Sequence, residues 1–157
     1  SRYTVGSIDI EDTCLVLKRG YSGKFRLFDL SDGKQVIDFR YDDITLLGFN
    51  RALGKDGSRR YLLDTSTGDV IASLPPNIGA AHFNETPVTW IFRAKSYYGI
   101  IDEEGNILYE DAKDPLTGVT KFRHGFSGGQ KDNKKWGILK SDGTWLVHPA
   151  YDYIKLL

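Results

Sequence analysis

The sequence predicts an all-β fold built from repeated antiparallel units. Seventeen glycines and five prolines divide the 157 residues into short segments, of which the longest without either residue is 34–47. These segments are rich in β-branched and aromatic residues, and none carries an apolar helical stripe over three turns. Dipeptides such as Asp32-Gly33, Glu104-Gly105 and Asp142-Gly143 supply the positive φ that tight hairpins need.

The turn glycines recur at a regular distance. Gly33, Gly68, Gly105 and Gly143 are 35, 37 and 38 residues apart, with apolar residues before each turn and three or four positions after each glycine. A module of this size cannot bury its apolar side alone, so repeated modules must pack against one another. We predict four tandem three-stranded antiparallel units of about 37 residues. They are arranged either as a propeller-like ring or as an open twisted array.

Two heptapeptides give the most direct sign of repetition. YDDITLL at 41–47 and YDYIKLL at 151–157 share five of seven residues. Tyr41 and Asp42 correspond to Tyr151 and Asp152, eight and nine residues after a turn glycine. This pattern predicts one β-repeat domain over 1–157, with units at about 13–40, 41–76, 86–114 and 119–150. Residues 151–157 are predicted to begin a fifth unit or to form a closing strand.

The C-terminal part resembles the bacterial WG-repeat family, which is named for its Trp-Gly pair. The resemblance lies in 122–128, in 134–143 with Trp136-Gly137, and in 147–152. A weaker copy at 98–105 has Tyr98-Gly99, whereas the first two units have Phe25-Arg26 and Arg60-Tyr61 there. We expect Gly99 and Gly137 at bulges or close backbone approaches. The resemblance implies an interaction or scaffolding module of bacterial proteins without defined catalytic residues.

Composition excludes several classes of protein. Twenty-one basic and 21 acidic residues give zero net charge, which argues against a nucleic-acid partner. A single cysteine excludes an intramolecular disulfide and a Cys₄ zinc site. No apolar run is long enough for a membrane span. The chain starts at Ser1 and contains no Met, so we expect that the natural N-terminus is missing, which leaves exported, envelope and cytoplasmic locations open.

Candidate catalytic and metal-binding residues are few. Cys14 lies in an apolar β-prone run and is predicted to be a small buried hydrophobe. His82, His124 and His148 lack metal-ligand spacing, and neither common nucleotide-binding motif is present. We therefore predict no enzymatic activity, no catalytic or metal-binding residue and no cofactor.

Aromatic residues of the C-terminal half are the candidate binding surface. If they lined a groove, they would anchor a protein partner or stack on sugar rings. These residues are Trp90, Tyr97, Tyr98, Trp136, Trp145 and Tyr153. The preferred function is a non-enzymatic protein-interaction or scaffolding module with an unidentified protein partner. Two alternatives stay open: a bacterial immunity or inhibitor protein that binds a cognate toxin, and a carbohydrate-binding surface.

Overall fold

The protein consists of four antiparallel four-stranded sheets, seen in a computed structural model that describes residues 9–11, 14–18, 23–84 and 86–155. The chain divides into two compact units, Ser1–Asn77 and Ile78–Leu157, which are described separately. Each unit contains two sheets. The predicted all-β fold of four repeated sheets is confirmed, but each sheet has four strands rather than three.

The N-terminal unit contains the first and second sheets, in each of which the strands are neighbours in chain order. The first sheet consists of β1 (Asp9–Glu11), β2 (Cys14–Lys18), β3 (Phe25–Asp29) and β4 (Gln35–Tyr41). The second sheet consists of β5 (Asp43–Gly48), β6 (Arg51–Asp56), β7 (Arg59–Asp64) and β8 (Val70–Leu74).

The C-terminal unit contains the third and fourth sheets, with the same meander order. The third sheet consists of β9 (Gly79–Ala80), β10 (Val88–Arg93), β11 (Ser96–Asp102) and β12 (Ile107–Glu110). The fourth sheet consists of β13 (Gly118–Val119), β14 (Phe126–Gln130), β15 (Trp136–Lys140) and β16 (Trp145–Tyr151). Strands β1, β9 and β13 have only two or three residues, too few to show a period of two in the sequence.

The four turn glycines occupy equivalent places, as predicted. Each lies between the third and fourth strand of its sheet with φ between +71° and +88°. The amide N–H of Gly33 donates to the carbonyl of Asp29, four residues earlier, whereas that of Gly105 donates to Asp102, three residues earlier. Asp29 also accepts the amide N–H of Ser31 at 2.8 Å. The acidic residue before the turn therefore stabilises it by bonding the backbone two residues on.

Each unit has its own apolar core between its two sheets. In the N-terminal unit the buried residues are Cys14, Val16, Leu27, Ile37, Tyr41, Ile44, Leu46, Ala52 and Leu63. In the C-terminal unit a buried cluster contains Val88, Trp90, Ile100, Leu116, Phe122 and Leu139. Cys14 is 4% exposed, which confirms its predicted packing role.

Residues 152–155 do not form the predicted closing strand, and the alternative, the start of a fifth unit, stays a prediction. Tyr151 is the last residue of β16, and residues 152–155 are not in a strand. Leu156 and Leu157 lie outside the described residues. The corresponding segment of the N-terminal unit, β5, is hydrogen-bonded along β6. The described part of the chain gives 152–155 no such neighbour, and a strand needs one.

No helix that is long and apolar enough to cross a bilayer occurs among the residues that the structure describes.

Candidate functional site

The six aromatic residues predicted as a binding surface separate into three groups. Trp90 and Tyr98 are 2% and 4% exposed, so their assignment to a surface is wrong. They lie on the central strands β10 and β11, where both faces of the sheet are covered. Tyr97, Trp136 and Trp145 are half-buried, and only Tyr153 is largely exposed. These aromatic residues therefore do not form one exposed groove.

A cavity of about 110 Å³ lies beside Trp90 in the C-terminal unit, and we call it the Trp90 pocket. It is formed where the segment before β10 approaches the segment between β13 and β14. Its lining residues are Ala81, His82, Phe83, Asn84, Val88, Thr89, Trp90, Tyr97, Val119, Thr120, Lys121 and Phe122. Small-molecule sites are usually larger, roughly 300–1,000 Å³. The Trp90 pocket has the size for a single side chain of a partner.

The indole of Trp90 is held in place on several sides. Its Nε1–H donates to Ser127 Oγ at 3.0 Å, and this hydroxyl donates to the Thr120 carbonyl at 2.7 Å. The indole stacks on Phe122 with ring centroids 5.7 Å apart and 23° between the planes. Tyr97 meets the indole edge-on at 6.5 Å. One wall of the pocket is therefore rigid before any partner arrives.

The segment 81–84 is fixed by side chains bonded to its backbone. The Thr89 hydroxyl, which is buried, lies 2.6 Å from the Ala81 carbonyl and 3.1 Å from that of His82. The amide N–H of Asn84 donates to His82 Nδ1 at 2.9 Å. These hydrogen bonds hold the backbone of 81–84 in place. The opposite wall of the pocket is thus also preformed.

The pocket lining contains one exposed lysine, Lys121, and two further exposed basic residues follow it in the sequence. Lys121 and Arg123 are exposed on either side of the buried Phe122. His124 follows with φ +52° and is also exposed. An apolar cavity beside positive charge favours an apolar anchor residue with acidic neighbours in the partner.

The Trp-Gly pair of the fourth sheet lies at a bulge, as predicted. Trp136 pairs with Tyr151 and Ile138 with Val147, so three residues of β16 lie opposite Gly137 alone. A Cβ on Gly137 would collide with the Val147 carbonyl oxygen and, at 2.7 Å, with Pro149 N. At Gly99 a Cβ would lie 2.9 Å from the Tyr109 carbonyl oxygen. The first sheet has the same bulge with Arg26 in place of glycine, so the close approach rather than the bulge excludes a side chain.

The aspartates nine residues after the turn glycines form ion pairs with lysines. Asp42 lies 2.5 Å from Lys24, Asp114 lies 3.1 Å from Lys131, and Asp152 contacts Lys135. The amide N–H of Gly57 donates to Asp42 at 2.8 Å, and this bond first, then Lys24, lowers the pKa of the Asp42 carboxyl. These residues therefore have structural roles.

Lys131 is the most enclosed lysine of this network. Burial by itself would lower the pKa of its ammonium, but hydrogen bonds to Asp114 and Asp111, together with the electrostatic effects of Tyr109 and Asp111, raise the pKa overall. The pKa of Asp111 is lowered, first by the hydrogen bond from the Asp114 amide and then by Lys131. Lys131 and Asp111 therefore both stay charged near neutral pH, as an ion pair does.

In the described ranges, no group of three or more His, Cys, Asp or Glu side chains lies close enough together to hold a metal ion.

Sequence reasoning singled out Trp90 and Tyr97 but missed the pocket that they line. The pocket depends on 81–84 and 119–122, which meet only in three dimensions. The one local signal was the apolar Phe122 between the basic residues Lys121 and Arg123.

Comparison with known proteins identifies the fold. No protein-family model matches the sequence, and neither does any curated protein. BamB from Moraxella catarrhalis is 17% identical over 88% of this chain, with a TM-score of 0.50. The computationally designed protein Ika8 is 12% identical over 96%, with a TM-score of 0.56. Hsv2p from Kluyveromyces lactis is 12% identical over 85%, with a TM-score of 0.51.

The matched chains are longer than this one, which spans 40% of BamB, 51% of Ika8 and 45% of Hsv2p. BamB and Hsv2p are β-propellers, so the likeness shows a β-propeller-like fold of four-stranded sheets. At sequence identities this low, the similarity shows the fold and nothing more.

Proposed function

We propose that this protein is a non-enzymatic interaction module whose Trp90 pocket receives one apolar side chain of a protein partner. The observation that carries the proposal is a preformed cavity of about 110 Å³ with an aromatic wall. Protein interfaces concentrate their binding energy in such anchor pockets, where one side chain is fully desolvated. Because the walls are held by hydrogen bonds before binding, little ordering entropy is lost on association.

The pocket supports protein binding better than sugar binding or catalysis. A sugar ring stacks on an open aromatic face, but Phe122 stacks on the indole of Trp90. The cavity is also smaller than the usual substrate site. The positive charge of Lys121 at the pocket adds a preference for an acidic residue beside the anchor, which raises the rate of association more than the final affinity.

Photo-crosslinking tests this function. A benzophenone amino acid replaces Lys121, and cells of the source organism supply the candidate partners. We expect one discrete crosslinked protein, because Lys121 lies at the rim of the pocket. Introducing Ala81→Leu fills the pocket and should abolish that product. Ala112→Leu is the matched control, since Ala112 is exposed and outside the pocket lining.

Two results would contradict the pocket as the binding site. One is an equal crosslinking yield in the Ala81→Leu and Ala112→Leu proteins. The other is the complete absence of a crosslinked protein while circular dichroism shows an unchanged β-sheet spectrum.

We also propose that the repeats are related to WG repeats. The support is that Gly99 and Gly137 both stand where a Cβ would meet the backbone of the next strand. If a glycine is required there, Gly137→Ala should destabilise the fourth sheet, whereas Arg26→Ala at the same bulge of the first sheet should not produce a comparable clash. Equal losses of stability would remove this support.

A further inference from the structure

One contact between neighbouring sheets occurs in both units. In the N-terminal unit a Cβ on Gly68 would lie 2.5 Å from the Val36 carbonyl oxygen. In the C-terminal unit a Cβ on Gly143 would collide with the Leu108 carbonyl oxygen. Val36 and Leu108 each lie three residues after the turn glycine of the preceding sheet. Within each unit, the turn of the later sheet therefore lies on the fourth strand of the earlier sheet.

Two further contacts accompany this one. Tyr41 packs on Gly54, where a Cβ would lie 2.9 Å from its ring, and Leu116 packs on Gly129, where the distance would be 2.8 Å. Gly54 and Gly129 each lie fourteen residues before the turn glycine of their own sheet.

The aspartates complete this pattern. Asp42 accepts the amide N–H of Gly57 at 2.8 Å, and Asp114 pairs with Lys131 at 3.1 Å. Gly57 and Lys131 both lie in the turn between the second and third strands of the following sheet.

We call the fourth-strand surface on which such a turn packs the receiving face. In the fourth sheet this surface, formed by Leu146–Tyr151, is exposed to solvent. Leu146, three residues after Gly143, is 55% exposed, and Tyr151 is 57% exposed, although its counterpart Tyr41 is 5% exposed. The side chain of Asp152 is 87% exposed. The next aromatic residue, Tyr153, is 76% exposed. The fourth sheet therefore exposes Tyr151, whose counterpart Tyr41 is buried, together with Leu146 and Tyr153.

The Gly33 turn of the first sheet is the counterpart of the turns that pack on a receiving face within each unit. Outside its own chain neighbours, no atom of the described residues lies within 4 Å of a Cβ built on Gly33. Leu30, three residues before Gly33, is 46% exposed, whereas Thr65, three residues before Gly68, is 2% exposed. The turn that inserts in the second and fourth sheets is thus uncovered in the first.

We propose that a second copy of this chain docks head to tail, with the Gly33 turn of one copy seated on the Leu146–Tyr151 face of the other. The two uncovered surfaces are the complementary halves of an interface that the chain already builds in each unit. Continuing that interface covers the Gly33 turn and Tyr151 and gives Asp152 a following sheet to contact. The contact is heterologous, because different surfaces of the two copies meet.

Solution mass tests the proposal. Multi-angle light scattering over a dilution series should show at least twice the mass of one chain, decreasing on dilution. Leu146→Glu and Gly33→Asn should each give a monomer, because a charge or a side chain then occupies the contact. Asn tolerates the φ of +71° at Gly33, so this variant should fold.

Matched controls use positions outside the contact. Val70→Glu places a charge at a residue that is 49% exposed, and Gly57→Asn places the same side chain at a turn with φ +59°. Both should associate as the unchanged protein does. Tyr151→Ala provides a milder test of the receiving face.

A mixture of the two disrupted proteins distinguishes head-to-tail docking from other modes. Leu146→Glu retains the Gly33 turn and Gly33→Asn retains the Leu146 face, so together they should form a one-to-one complex that does not extend. A monomeric unchanged protein at all concentrations overturns the proposal. Association that survives both substitutions, or a mixture of folded variants that forms no complex, overturns it as well.

Discussion

Tyr41 and Tyr151 occupy the same position in two nearly identical heptapeptides but have different surroundings. Tyr41 pairs with Phe25 in the first sheet, and Tyr151 pairs with Trp136 in the fourth, at equivalent bulges. Tyr41 is nevertheless 5% exposed and Tyr151 57% exposed. The sheet that follows Tyr41 covers it with Gly54 and with Tyr61, whose ring centroid is 6.1 Å away. Strand pairing therefore sets the backbone of the repeat, whereas the following sheet sets the burial of its side chains.

The largest difference is expected between Tyr41→Ala and Tyr151→Ala. Removing the buried ring of Tyr41 should lower the free energy of unfolding by about 4 kcal/mol, because the cavity cannot be refilled. Removing the exposed ring of Tyr151 should change it by less than about 0.5 kcal/mol in the monomer. Urea unfolding of dilute protein measures both values. Similar losses of unfolding free energy would mean that the two tyrosines are buried to the same extent.

Alanine at the turn glycines sharpens the same comparison. Gly33→Ala should cost about 1–2 kcal/mol, which is the strain of its positive φ. Gly143→Ala should cost about 3 kcal/mol or more, because the same strain is added to a clash with the Leu108 carbonyl. Thermal and urea denaturation of the two variants give the difference. A Gly33→Ala loss as large as that of Gly143→Ala would contradict the open space at Gly33.

Tyr109 lies on β12, the fourth strand of the third sheet. It lies four residues after a turn glycine, where the first sheet has Ile37. The Tyr109 hydroxyl is buried, and the described residues offer it no hydrogen-bond partner. Tyr109→Phe should therefore raise the free energy of unfolding by about 1 kcal/mol. A loss of stability instead would show that the hydroxyl has a partner, such as an ordered water.

The smallest expected effect is the acid sensitivity due to Asp42. Hydrogen bonding from Gly57, followed by Lys24, holds the pKa of Asp42 below its ordinary value of 3.8. The stabilisation is therefore present above pH 3.8 and is lost as the pH falls through the lower, folded-state pKa. Asp42→Asn should reduce the loss of stability in this range.

Lys24→Met is the control for Asp42, because it removes the ion pair and keeps the bond from Gly57. Urea midpoints at several acidic pH values measure both variants. If Lys24→Met abolishes as much of the pH dependence as Asp42→Asn, the Gly57 bond is not the main cause.

Some parts of this molecule were determined by the sequence itself. Glycine tolerates the positive φ of a tight turn, and it recurs here at a regular distance, so Gly33, Gly68, Gly105 and Gly143 were predictable as equivalent turns. The short strands β9 and β13 were not predictable, because two residues carry no period. Their pairing depends on the neighbouring strand rather than on their own side chains.

Only the tertiary structure decided which aromatic residues face water and where the Trp90 pocket forms. Trp90 is covered by Phe122, thirty-two residues further along the chain, and the Trp90 pocket forms between 81–84 and 119–122, which are also far apart in the sequence. Tyr41 and Tyr151 have the same local sequence and opposite exposures. Backbone preference acts over a few neighbouring residues, whereas burial is the sum of contacts from distant ones, and no local pattern in this sequence records it.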